Sequence, residues 1–138
     1  RGDDVIRMVA RILVNLVNQI PKNTFVGHIG GDDFVFIVPP EDAKALAERI
    51  ISFFDEIIPS FYDEEDLQAK RIVSTDRQGN IKEFPIMTIG IAIVLNTDRY
   101  RFSHYGEIAK VAAELKAFVK KQRDISSYII DRRNAPER

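Results

Sequence analysis

Two apolar runs, Thr24–Ile29 and Phe34–Val38, enclose Gly30-Gly31-Asp32-Asp33. Runs this short, rich in β-branched and aromatic residues and divided by Gly and Asp, read as the two strands of a hairpin. No other segment constrains the fold as much, because a hairpin makes its strands antiparallel neighbours and puts the turn at one end of a sheet. The turn carries two adjacent carboxylates beside glycines that let a phosphate or another backbone come close. Such a tip can hold a hard cation on a nucleotide. The same residues are also what any hairpin turn prefers, so the flanking sequence has to separate the two readings.

Around the hairpin the apolar periodicity predicts helices. Val5, Ile6, Val9, Ile12, Leu13, Leu16, Val17 and Ile20 recur at helical spacing, giving a helix from Asp4 to Ile20 with Asp3 or Asp4 as N-cap and Pro21 as its end. A second helix follows Pro39-Pro40, with Ala43, Leu46, Ala47, Ile50, Ile51, Phe54, Ile57 and Ile58 as its buried stripe. Arg71–Ser74 and Asn80–Phe84 flank the turn signal Thr75–Gly79 and read as a smaller hairpin. Ile86–Leu95 is a long apolar strand, central in character. A third helix runs from Tyr105 or Gly106 to Lys121 with Ile108, Val111, Ala112, Leu115 and Val119 inward, and Ser127–Asp131 is a last strand. The order α-β-β-α-(β-β)-β-α-β predicts an α+β fold, one antiparallel-rich sheet flanked by helices. Residues 1–131 form one domain and residues 132–138 a tail or linker.

Composition matters here mainly for what it excludes. The chain of 138 residues is 45% hydrophobic and 30% charged with a net charge of −1. That is a globular balance, and it offers no bulk electrostatic attraction to nucleic acid or to an anionic membrane. There is no cysteine, hence no disulfide or thiolate chemistry, which fits a cytoplasmic location. The apolar runs are too short to span a bilayer. The opening Arg1-Gly2-Asp3-Asp4 has no initiator Met and reads as the start of a piece of a longer chain.

Three segments, in order, resemble the GGDEF family of diguanylate cyclases, which condense two GTP into cyclic di-GMP. Gly2-Asp3-Asp4-Val5-Ile6-Arg7-Met8-Val9-Ala10 is similar to the family's "GDxxLRxxA" helix start. Ile29–Phe34 is similar to the signature hairpin in a variant form, and Met87-Thr88-Ile89-Gly90-Ile91-Ala92 to the "vTxSiGiA" strand. The resemblance covers residues 2–130, and the inserted segment 61–84 is similar to a subgroup found in multidomain signalling proteins. It implies a nucleotidyl-cyclase-like fold with a ferredoxin-like core, here lacking the family's central first strand and first helix, which would lie before residue 1. It also implies GTP as ligand, Mg2+ (or Mn2+) as cofactor, a homodimer in which each copy presents one GTP, and companion domains in a longer signalling protein.

The resemblance assigns roles residue by residue. Asp32 and Asp33 are the catalytic carboxylates; Asp32 also binds the metal, and Asp33 replaces the usual Glu, shortening its reach by one methylene. Gly30 and Gly31 border the phosphates. Asp3 matches the residue that reads the guanine edge, and as an N-cap it could serve both roles. Lys120 and Arg123 match phosphate contacts of the late basic motif, or they are the solvated basic end of a helix. Departures are equally specific. The other metal-binding Asp and the guanine-reading Asn belong upstream. Pro21-Lys22-Asn23-Thr24 stands where the inhibitory product site needs RxxD. These losses leave a second reading open: a degenerate module that binds GTP or a partner without catalysis.

Other residues carry less. His28 has no second His or Cys nearby to make a metal site, and His104 lies in a polar loop. The acidic run Asp63–Asp66 lacks the spaced oxygens and glycine of a calcium loop. Phe53, Phe54, Phe61 and Tyr62 are either core or a partner-docking patch.

Overall fold

The computed structural model describes residues 2–65, 71–75, 81–97, 101–121 and 124–131, with backbone alone considered for 71–75 and 81–85. Their elements run α1 (Gly2–Asn18), β1 (Phe25–Gly30), β2 (Asp33–Ile37), α2 (Pro40–Ile57) and a short 3-10 turn (Ile58–Phe61). Then come β3 (Arg71–Thr75), β4 (Ile81–Pro85), β5 (Gly90–Ile93), α3 (Tyr105–Val119) and β6 (Ser127–Ile130). The class is α+β, in the expected order of elements. Among the described residues no helix is long and apolar enough to cross a membrane.

The core is the seam between α1 and α2. Leu13, Leu16 and Val17 on α1 meet Ala43, Leu46, Ala47 and Ile50 on α2, and Val17 and Ile50 are each only 1% exposed. The stripe recurs every three or four residues, so both helices turn one apolar face inward. Val26, Phe34 and Phe36 bring the hairpin onto this seam, and Ile91 and Ile93 bring β5. Asp3 and Asp4 lie inside the first turn of α1, which begins at Gly2, so they do not cap it. Their charges face the positive end of the helix dipole there.

The strands do not form one sheet. β1 pairs with β2 and β3 with β4, both antiparallel, while β5 pairs with β6 in parallel. A parallel pair needs a crossover, and α3 supplies it. The long strand expected over Ile86–Leu95 shortens to Gly90–Ile93. Side chains replace a neighbouring strand along its first half: the Met87 N–H donates to Tyr62 Oη at 3.2 Å, and the Ile89 N–H to Ser126 Oγ at 3.0 Å. Ser126 Oγ in turn donates to Asp55 at 2.6 Å, tying α2 to the segments before β5 and β6. No described strand hydrogen-bonds the outer edge of β2 or of β5.

α3 lies close on β5 because residue 90 is glycine. A Cβ at Gly90 would collide with Val119, the buried residue of α3. Gly90→Ala should therefore destabilise the domain by about 1–3 kcal/mol through overpacking, read as a lower urea midpoint. Adding Val119→Ala should recover part of that loss.

Candidate functional site

The hairpin has a two-residue loop, Gly31-Asp32, between Gly30 and Asp33. Gly31 has φ +54° and Gly30 φ +154°, conformations that side chains disfavour, and neither glycine has an atom near its missing Cβ. The register slips between His28 and Gly30, so Ile29 bulges out and is 73% exposed. His28 closes the turn. Its Nε2 hydrogen-bonds the Gly31 carbonyl oxygen at 2.8 Å, and its ring stacks on Phe34 with centroids 4.4 Å apart. His28 thus supports the turn, a role its sequence position does not advertise.

The two carboxylates differ sharply. Asp32 sits in the turn, exposed, with no salt bridge to a described residue. Asp33 is already a strand residue, paired with Gly30 in the ladder, and its carboxylate accepts a hydrogen bond from Lys116 Nζ on α3 at 2.7 Å. That contact joins positions 83 residues apart. The Lys116 ammonium, through this hydrogen bond and then through its charge, holds the Asp33 carboxyl below its ordinary range, and the Lys120 charge adds to the effect. The sequence marks Lys116 only as an ordinary helix-face charge, with Glu107, Lys110 and Glu114. It follows the ordinary i, i+4 charge spacing of a helix face, and only the packing of α3 aims it at the tip.

Asp32, Asp33, Lys116 and Lys120 border one end of an open groove of about 590 Å3. Its walls are Phe34 and Phe36 of β2 on one side and Ile89, Gly90 and Ile91 on the other, with Val5, Val9 and Leu13 of α1 beneath. The structure thus brings Asp32, Asp33 and Lys120 to one groove, with Gly30 and Gly31 at the hairpin turn. Asp3, exposed in the first turn of α1, does not line it, and Arg123 lies outside the described residues. Among the described residues no cluster of three or more His, Asp or Glu side chains is arranged to hold a metal ion. Asp32 is the tip carboxylate with no ion pair to a described residue, while Lys116 pairs with Asp33.

Comparison of the chain with models of protein families, with characterised proteins and with solved structures finds no match.

The Asp33–Lys116 pair has a signature in titration. Asp33 should titrate below its ordinary 3.8, and Lys116→Met should bring it back up, as followed by carboxyl-carbon NMR. A lowered carboxylate pKa stabilises the fold above pH ~3.8, and that stabilisation is lost as pH falls through the lowered value. Both side chains are about 40% exposed, so the substitution should cost no more than about 1 kcal/mol at neutral pH.

Proposed function

We propose that this chain is a GGDEF-type signalling domain, a diguanylate cyclase that condenses two GTP into cyclic di-GMP. The reading begins from the three ordered sequence segments. The observation that carries it furthest is the hairpin tip: a free Asp32, flanked by glycines whose backbone is open to a phosphate, at the end of a groove bordered by Lys116 and Lys120. Two ammonium groups one helical turn apart suit a polyphosphate better than a neutral ligand. The groove between the outer edges of β2 and β5 supports the same reading, since the family's sheet carries its first strand at its centre.

In this reading the 3′-hydroxyl of one GTP attacks the α-phosphate of another, and pyrophosphate leaves. Repetition in the opposite sense closes the ring. Each copy of the domain presents one GTP, so a homodimer is the working unit. Open backbone at Gly30 and Gly31 admits the phosphates, and Lys116 and Lys120 draw their charge. Asp32 is the residue that would hold Mg2+ (or Mn2+), because such ions take one or two carboxylates together with substrate phosphates. The cation would neutralise charge on the triphosphate. Companion domains and a cytoplasmic setting belong to the same proposal.

Two observations favour the second reading, a degenerate module that binds GTP without turning it over. Asp33 is engaged by Lys116, which would have to release it before it served as a base or ligand. Lys22, in the segment that replaces the product-site motif, is likewise engaged, by Glu41 at 3.1 Å and Asp42 at 3.0 Å.

Incubating the intact protein with GTP and Mg2+ and separating the products by chromatography decides between the two. The cyclase reading expects one cyclic di-GMP per two GTP consumed, abolished by Asp32→Ala and insensitive to micromolar cyclic di-GMP. Calorimetric binding of GTP with no product at high protein concentration would leave the binding module. Absence of both would sink the family reading.

A further inference from the structure

The groove below the hairpin tip carries its charge at one end only. Asp32, Asp33, Lys116 and Lys120 are the charged groups among the described residues that line it, and the rest of the lining is uncharged. Two carboxylates and two ammonium groups leave that end with no net charge at neutral pH. A groove without net charge has little long-range pull on an anion. How the four charges pair with one another therefore decides what the tip binds.

They pair unevenly. Lys116 Nζ donates to Asp33 Oδ1 at 2.7 Å, a bond from α3 to β2 between positions 83 residues apart. Lys120, one turn further along α3, is exposed, and its side chain has no hydrogen bond or ion pair to a described residue. The Lys116 and Asp33 side chains are 39% and 40% exposed, so an incoming anion reaches both. Exposed pairs of this kind are weak, because water solvates either partner once they part. Keeping Asp33 while binding a phosphate would put two anions side by side on one ammonium, where like charges repel.

We propose that Asp33 is an internal competitor for Lys116: it occupies the ammonium in the unliganded domain, and a polyphosphate binds the tip by displacing it. This competition presupposes the phosphate site proposed above and adds how that site is kept closed. A triphosphate presents several charged oxygens to Lys116 and Lys120 together, whereas the Asp33 carboxylate bonds Lys116 alone. Displacement has a second consequence. Once Lys116 turns to the phosphate, Asp33 stands unpaired opposite Gly30, beside the open backbone of the turn. The carboxylate that is engaged in the unliganded domain becomes available only with the anion in place.

The test titrates the intact protein with inorganic triphosphate, divalent cations being removed by a chelator. Triphosphate should move the Asp33 carboxyl-carbon NMR signal toward its position in Lys116→Met. By calorimetry, Asp33→Asn should tighten triphosphate about fivefold, the upper worth of an exposed pair. In a Lys116→Met background the same substitution should gain no more than about twofold, since only repulsion between carboxylate and phosphate is then relieved. Asp33→Asn is isosteric and half-exposed, so circular dichroism should stay native. Equal gains in the two backgrounds, or an Asp33 signal that stays in place while triphosphate binds, would overturn the proposal and leave the phosphate site standing. If triphosphate binds neither the unaltered protein nor Asp33→Asn, the proposal and the phosphate site fall together.

Discussion

The burial of α1 is the constraint on which the rest of the molecule depends. Its apolar face is broad enough to touch α2, β1 and β2, and each of these elements buries its own apolar stripe by doing so. Val17, Ala47 and Ile50 are the least exposed residues of the seam. Because side chains three and four apart share a face, α1 also divides the surface. Val5, Val9 and Leu13 line the groove below the hairpin tip, while Met8, Ile12 and Leu16 line a second cleft bordered by Phe53, Ile57 and Phe61. One helix therefore sets the floor of both concave surfaces. A substitution that turned it by one residue would disturb both together.

The hairpin tip is held by two unlike devices. His28 secures the turn from within the hairpin, by bonding the Gly31 carbonyl and stacking on Phe34. Lys116 secures it from outside, by pairing with Asp33. The first is local and comes from residues three and six apart. The second spans most of the chain and depends on the packing of α3, which lies on β5 where Gly90 meets Val119. Two adjacent carboxylates thus acquire different chemistry: Asp32 faces water, and Asp33 is a neutralised anchor. An exposed ion pair of this kind contributes little to stability, so its consequence lies in which carboxylate remains available.

Much of this was legible beforehand, for identifiable reasons. The helices over residues 2–18 and 40–57 follow from apolar spacing, and the hairpin follows from Gly30-Gly31-Asp32 between two β-rich runs. These are local signals. The pattern failed where the partner of a segment mattered. Ile86–Leu95 reads as one long strand, yet only Gly90–Ile93 pairs, because pairing needs an adjacent strand and the earlier amides bond to Tyr62 and Ser126 instead. A single sheet was expected, and three separate pairs are found. Asp33 was expected as a catalytic acid of shortened reach, and its engagement by Lys116 on α3 was not foreseen. Lys116 itself looked like any helix-face charge.

What the sequence determined alone was therefore the inventory: three helices, a Gly-Asp hairpin, an α+β class, and a resemblance that nominates Asp32. Periodicity and turn chemistry act over a few residues, so they can be read without a fold. What the tertiary structure decided was which groups meet. The capture of Asp33 by Lys116, the groove between β2 and β5, and the division of the aromatic cluster into core and cleft wall all depend on packing between distant segments. No local pattern encodes those distances, because each is set by how α1, α2 and α3 bury their faces against the strands.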